Sequence, residues 1–403
     1  MRSCAVLALL LFGACNSLVG AKSFGTGGDG GGSGSDAGGS DANVDGASDS
    51  PVDAADEVCF TGVVSGLCIP SSSQDGTIGG GTIDTDHSAC DPAYSDLCLM
   101  TAHDFDISGA TFVVGSRPLV LAAYGTIQIE AGAYIDASAN GAMPGAGAQD
   151  VTATACEPNA DPASGMNSQL NDFGSGGGAG GQGGITGGAG GAGNASVRDH
   201  AGGQPHQANL SGFVGGCAGQ SGADYLINGN PTGSGAGGGG GGVLYLAASN
   251  VDLRGALYAA GGGGAGGYDG AGGGGGGAGG YIGFQVLAAP NNTIGVDGCI
   301  VAANGGGGGG GGSGAATPSG AGSDGAHGGA DANAVRTNAP GGTGSSPGDG
   351  TGGTGGATTP VSGQVGLDGA NYGGGGGGGG GGVIYTPNSL TVNCALAFAK
   401  QEF

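Results

Sequence analysis

From Gly373 to Gly382 the chain is glycine at every position, and it then runs directly into Val383-Ile-Tyr-Thr. The same junction, a glycine run entering an apolar strand-like segment, recurs at Gly242/Val243 and Gly280/Tyr281. With 110 glycines among 403 residues and no tryptophan, the chain cannot assemble a conventional large core. Each glycine costs more backbone entropy to order than any other residue, so only the apolar segments between the runs can offset that cost. Glycine this abundant without a strict three-residue repeat also points away from collagen.

The apolar segments repeat one another. Val251-Asp-Leu-Arg-Gly-Ala-Leu-Tyr aligns with Phe105-Asp-Ile-Ser-Gly-Ala-Thr-Phe and with Ile294-Gly-Val-Asp-Gly-Cys-Ile-Val, and more loosely with Ile127-Gln-Ile-Glu and Leu390-Thr-Val-Asn. A companion strand precedes four of the five, at Leu119, Val243, Phe284 and Val383. The two-residue period is that of a strand, and its recurrence is the mark of stacked units. The expected fold class is therefore all-β, a parallel β-solenoid or β-helix-like stack. Phe105/Ile107, Ile127/Ile129, Val251/Leu253, Ile294/Val296 and Leu390/Val392 should point inward. The following column (Ser108, Glu130, Arg254, Asp297, Asn393) should point outward, with the arginine between two carboxylates of adjacent units.

Three long glycine-rich insertions, at about 139–242, 261–280 and 304–382, separate the units. Loops of that length need structure of their own or stay flexible. One arrangement is a set of polar, flexible loops. The other is a bundle of extended helices with three residues per turn, of the polyglycine II type, whose free peptide N–H groups bond to neighbouring chains. The pinning of the runs by strands at Val243, Tyr281 and Val383 tilts the choice towards the second.

At the N-terminus, Arg2 and the apolar run Ala5–Phe12 read as a secretory signal over residues 1–15, too short to span a bilayer. Leu11-Phe-Gly-Ala-Cys15 is similar to a bacterial lipobox, which would make Cys15 the site of lipid attachment; simple secretion is the alternative. Residues 16–57, built from Gly, Ser, Asp and Ala, read as a disordered acidic tether. Asp41, Asn43 and Asp45 imitate the start of a calcium loop, but Val52 stands where its bidentate carboxylate belongs, so no metal site is expected. Residues 58–104 hold Cys59, Cys68, Cys90 and Cys98 without a zinc spacing, which suggests a small disulfide-rich cap closing the stack over 105–403. Removing Cys4 and Cys15 leaves an even set, completed by Cys156, Cys217, Cys299 and Cys394. Sequential pairing is the simplest scheme, although spacing alone does not fix connectivity.

Charge narrows the partners. Lys+Arg number 7 against 31 for Asp+Glu, a net −24, so no basic patch exists to neutralise phosphates and nucleic acid is excluded as a partner. The abundant G-x-G-x-x-G strings carry no nucleotide-binding information in such a chain, and no cofactor is expected. His87, His103, His200, His206 and His327 form no triad pattern; Asp86-His87 and His103-Asp104 are local polar pairs. A polysaccharide lyase or hydrolase would draw on Asp106, Glu130, Asp252, Arg254 and Asp297, which a surface charge ladder explains more simply. Tyr225, Tyr245, Tyr258, Tyr268, Tyr281, Tyr372 and Tyr385 gather at strand–glycine junctions, where packing is the first explanation and sugar stacking the second.

Together the LFGAC ending, the Asp/Ala/Gly tether, Thr82-Ile-Asp-Thr-Asp in the cysteine segment, Gly115-Ser-Arg-Pro-Leu-Val-Leu-Ala-Ala and Ile135-Asp-Ala-Ser-Ala-Asn-Gly resemble glycine-rich predicted surface lipoproteins of myxobacteria and related bacteria. The glycine runs are also similar to those of PE-PGRS proteins, without the Pro-Glu domain. The resemblance implies an exported protein held at the outer membrane or cell surface through its lipid. Its expected role is structural or adhesion-like and non-catalytic, towards surface glycans or neighbouring cells; the alternative is a β-helix enzyme acting on extracellular polysaccharide.

Overall fold

A computed structural model describes most of residues 57–402, within the compact unit Val52–Phe403. Residues 1–56 and 403 lie outside the described residues, as do internal stretches of which the longest are 329–338, 194–201, 205–212 and 314–321. The signal segment, Cys15, nearly all of the tether, Asp297, Tyr372, His200, His206 and His327 therefore lie outside what is described here. Among the described residues every regular element is a β-strand, and no helix is long and apolar enough to cross a membrane.

Two parallel sheets carry the fold. The long sheet runs in chain order through Gly76–Ile78, Phe105–Ile107, Leu119–Ile129, Val243–Leu253, Tyr281–Val286, Val383–Thr386 and Ala399–Glu402, with Cys98–Ala102 also paired to Leu119–Ile129. The short sheet follows the same order through Gly81–Asp84, Ala110–Val114, Tyr134–Asp136, Ala256–Tyr258, Ile300–Ala302 and Ala395–Ala397. Each rung thus contributes to one sheet, turns, and contributes to the other. Phe105, Ile127 and Val251 stand in register, as do Ile107, Ile129 and Leu253, and all six are buried in one apolar cluster between the sheets. At ~25 cal/mol per Å² of apolar surface removed from water, these columns are the main stabilising element of the stack. The Leu119–Ala123 segment is buried on both faces, as its unbroken apolar run requires. Val120 and Ala122 face a second cluster with Phe60, Leu67 and Ile69 of the hairpin Glu57–Phe60/Leu67–Pro70.

The sequence reading needs three corrections. The strand repeat begins at Gly76, inside the segment assigned to the cap, because Gly76–Ile78 and Gly81–Asp84 already pair with Phe105–Ile107 and Ala110–Val114. The companion strand placed at Phe284 begins at Tyr281, which pairs with Val243 as it leaves the glycine run. In the last two units Ile294 aligns with Val392 rather than Leu390. Val296, expected inside, is 45% exposed, because the strand ends at Ile294 and the chain turns through Gly295 and Gly298 at positive φ.

Four disulfides join the cysteines in chain order: Cys59–Cys68, Cys90–Cys98, Cys156–Cys217 and Cys299–Cys394. Cys59 and Cys68 face each other across the hairpin, and Cys299 and Cys394 precede the paired residues Ile300 and Ala395 of neighbouring rungs.

The glycine runs are ordered by one another. Along Gly272–Gly280, residues 272, 275 and 278 donate their N–H to the carbonyls of Ala223, Gln220 and Cys217; 273, 276 and 279 donate to Gly374, Gly377 and Gly380; 274, 277 and 280 donate to Ala265, Gly262 and Ala259. The same run accepts from three further chains, at 178–181, 235–241 and 306–312. Donation to three neighbours in strict rotation means three residues per turn, the period of an extended polyproline II-type chain. The runs 305–312 and 373–382 are surrounded in the same way. The backbone polar groups of these buried runs are thereby satisfied without side chains.

Space, not conformation, demands glycine here. Among the described residues, none of the glycines of these three runs has positive φ. A Cβ added at Gly277 would instead be driven into the Gly239 carbonyl, and one at Gly376 into that of Gly274. Neighbouring chains need less glycine: Ala179 and Gln182, both buried, and the half-buried pairs Ala189 and Ala192, and Thr351 and Thr354, occupy every third position. Further out, only every third residue is glycine, at Gly322/Gly325/Gly328 and Gly363/Gly366/Gly369, and Val365 and Leu367 point to solvent, 60% and 61% exposed.

Candidate functional site

On the outer face of the short sheet, Phe112 packs edge-on against Tyr134, and Tyr134 against Tyr258, with ring centroids 5.7 Å and 6.0 Å apart. Phe112 remains 46% exposed at the mouth of a groove of ≈ 500 Å³. Val114, Met143 and Pro144 form the apolar walls, and Asp136, Ser138 and Asn140 supply the polar groups. Strand periodicity explains the composition: Phe112 and Val114 alternate with the buried Thr111 and Val113, so the apolar pair faces outward.

The polar side of the groove is held from below. Asp136 Oδ1 accepts the Ser138 N–H at 2.8 Å, and Ser138 Oγ accepts the Ala260 N–H at 2.9 Å. Asn140 and Met143 exchange backbone hydrogen bonds of 2.9 and 3.0 Å around a turn with Gly141 at φ 59°. That turn is tied to the glycine array, because Gly239 N–H donates to Gly141 and Gly145 N–H to Gly240. A concave, largely apolar surface with a few fixed polar groups is the usual form of a small-ligand or sugar site. Sequence reasoning missed it because Met143 and Pro144 read as insert, and Phe112 as one more strand residue.

The tyrosines divide. Tyr225, Tyr245, Tyr258 and Tyr281 are buried, with Phe213 edge-on to both Tyr245 and Tyr281. Tyr385 stacks on Tyr281, leaving Tyr268 well exposed. Burial, then the neighbouring phenols of Tyr245 and Tyr385, push the Tyr281 phenol far above its ordinary value; burial and the Asp136 charge raise Tyr258.

Of the acidic residues singled out in the sequence, Asp106 and Asp252 lie on the outer face of the long sheet. Thr77, Asp106, Gln128 and Asp252 form one column in register, so Asp106 and Asp252 are two rungs apart with Gln128 between them, roughly 10 Å at the usual strand spacing. Arg254 closes on Asp252 of its own strand with contacts of 2.6 and 3.1 Å. The Asp252 hydrogen bond and charge, with a smaller contribution from Glu130, raise the guanidinium further above its ordinary value. Arg254 thus pairs most closely within its own strand, with Glu130 of the adjacent rung a weaker partner, and Asp297 lies outside the described residues. The sequence neighbours Asp86 and His87 also separate: His87 pairs with Asp84 at 2.7 Å, whereas Asp86 accepts both the N–H and the hydroxyl of Ser116. The Ser116 hydroxyl bond, reinforced by its N–H and by the Arg117 and His87 charges, outweighs burial and holds Asp86 below the usual carboxylate range.

No protein-family model, curated protein or solved structure matches this chain.

Proposed function

We propose that this protein is a lipid-anchored, cell-surface display scaffold with an adhesion-like role, binding neutral polysaccharide through the Phe112 groove. In this reading the two sheets form a β-solenoid and the glycine segments a polyglycine II array. The array stiffens the coil and fixes the Met143 wall of the groove, and the disulfide-bonded hairpin packs over the outward face of the long sheet at Val120 and Ala122. The observation that carries the proposal is the exposed Phe112 ring beside Asp136 and Asn140, held on rigid rungs. A pyranose stacks its C–H face on such a ring while its hydroxyls meet carboxylate and amide. The net charge of −24 disfavours polyanionic chains and leaves neutral glycans as the fitting class.

The test is retention on a panel of neutral and anionic polysaccharides, read also for released reducing or unsaturated ends. Wild-type retention on a neutral glycan, weakened at least tenfold by Phe112→Ala with an unchanged melting temperature, supports the proposal. Retention unaltered by Phe112→Ala contradicts it. Released ends would instead favour a polysaccharide-active enzyme, with Asp106 and Asp252 as the first residues to replace.

A further inference from the structure

At the N-terminal end of the stack, two adjacent rungs bring a histidine and two carboxylates to one point. His103 and Asp104 form the turn between Cys98–Ala102 and Phe105–Ile107, and Asp75 lies one rung away, just before Gly76–Ile78. His103 Nδ1 is 2.9 Å from Asp104 Oδ2 and 3.6 Å from Asp75 Oδ1. The two turns are pinned together, with His103 N–H donating to Gln74 at 2.9 Å and Gly76 N–H donating to Asp104 at 2.8 Å. Register therefore sets the three residues side by side at neighbouring turns.

A supporting layer orients them. Asp104 Oδ1 accepts the Thr126 N–H of the third rung, which leaves Oδ2 turned towards the histidine. Gly125 makes room for this carboxylate, since a Cβ there would strike Asp104 Oδ1. Tyr124 lies against the imidazole, ring centroids 5.2 Å apart, and sets its plane. The cluster opens onto a groove of ≈ 490 Å³ whose remaining polar lining includes Thr77, Asp106, Thr126 and Gln128. That space allows the rest of a coordination shell to be filled by water or by a ligand.

We propose that Asp75, His103 and Asp104 bind a divalent first-row transition cation such as Zn²⁺. An imidazole nitrogen with two carboxylate oxygens suits Zn²⁺ or its neighbours, whereas Ca²⁺ and Mg²⁺ prefer oxygen ligands alone. Ligand atoms lying within 4.8 Å of one another need only small side-chain rotations to converge on one ion. The hydrogen bond from Thr126 to Asp104 is the kind of outer support that orients a metal-binding carboxylate. Because its ligands come from successive rungs, the ion clips the first rung to the second and stabilises the fold when bound.

Equilibrium dialysis of the full chain against Zn²⁺ tests this, with the melting temperature followed in parallel. His87→Ala is the control, since His87 pairs with a single carboxylate, Asp84, elsewhere on the same end of the stack. The expected result is a saturable site that raises the melting temperature, weakened at least tenfold by His103→Ala and by the shape-preserving Asp75→Asn, and retained in His87→Ala. Zn²⁺ binding that is absent, or that persists undiminished in both His103→Ala and Asp75→Asn, overturns the proposal. Ca²⁺ binding of equal strength that survives His103→Ala would also overturn it, because the imidazole would then take no part.

Discussion

The strand stack and the glycine array solve the same problem with opposite means. Both bury backbone, and both satisfy it by lateral hydrogen bonds between neighbouring chains. In the stack, chains are held apart by side chains, and the columns Phe105/Ile127/Val251 and Ile107/Ile129/Leu253 fill the space. In the array, chains approach until a single Cβ has no room, and the stabilising contact is backbone on backbone. The two regions therefore use glycine differently. Gly295 and Gly298 in the stack are at turns with positive φ, whereas the glycines of the three interior runs adopt ordinary φ and are selected by proximity.

That contrast makes alanine damaging in both regions for opposite reasons. Gly277→Ala adds one methyl group at a position walled by the Gly239 carbonyl. Overpacking usually costs 1–3 kcal/mol, but here the struck atoms are hydrogen-bonded backbone that cannot rotate away, so a loss of about 4 kcal/mol is expected. Leu253→Ala removes side-chain volume from a fully buried column, with an expected loss of about 3 kcal/mol. Chemical denaturation of the two variants checks the order; a neutral Gly277→Ala would break the comparison.

A pH titration sharpens it. Tyr281 keeps its proton in the folded state well above its ordinary value, whereas the unfolded chain releases it near pH 10. The folded state then holds more protons, so stability is fully present below about pH 10 and falls as pH rises beyond it. The interior glycine runs carry no titratable side chain, so Tyr281→Phe should reduce the alkaline loss, as measured by melting temperature between pH 8 and 11. The smallest effect is expected at the rim. Thr351→Ala should change stability by less than about 0.5 kcal/mol, since the Leu367 N–H donates to the Thr351 carbonyl, which alanine keeps.

Much of the stack was legible in the sequence. The two-residue period identified Phe105, Ile107, Ile127, Ile129, Val251 and Leu253 as the inner face, and these are buried. Register failed at one unit, where the glycine run visibly enters a strand at Tyr281 but the repeat alignment sets Phe284 rather than Tyr281 opposite Val243. The shift of Ile294 against Leu390 kept the inward parity but carried Val296 past the strand end into solvent. The three-residue period of the array was also encoded, in the every-third residues Ala179, Gln182, Thr351 and Thr354, but which chain neighbours which is not written in side chains at all. The cation cluster was half visible: His103-Asp104 reads as a local pair, and its third member, Asp75, arrives only through the pairing of adjacent rungs.

The most direct test of the array is hydrogen exchange at its glycine amides, resolved along Gly272–Gly280, 305–312 and Gly373–Gly382. The laterally bonded arrangement predicts protection comparable to that of the Val243–Leu253 strand, including at the rotating set 273, 276 and 279. Exchange at the rate of an unstructured chain, with Val243–Leu253 still protected, would contradict it and reduce the runs to flexible connections between rungs.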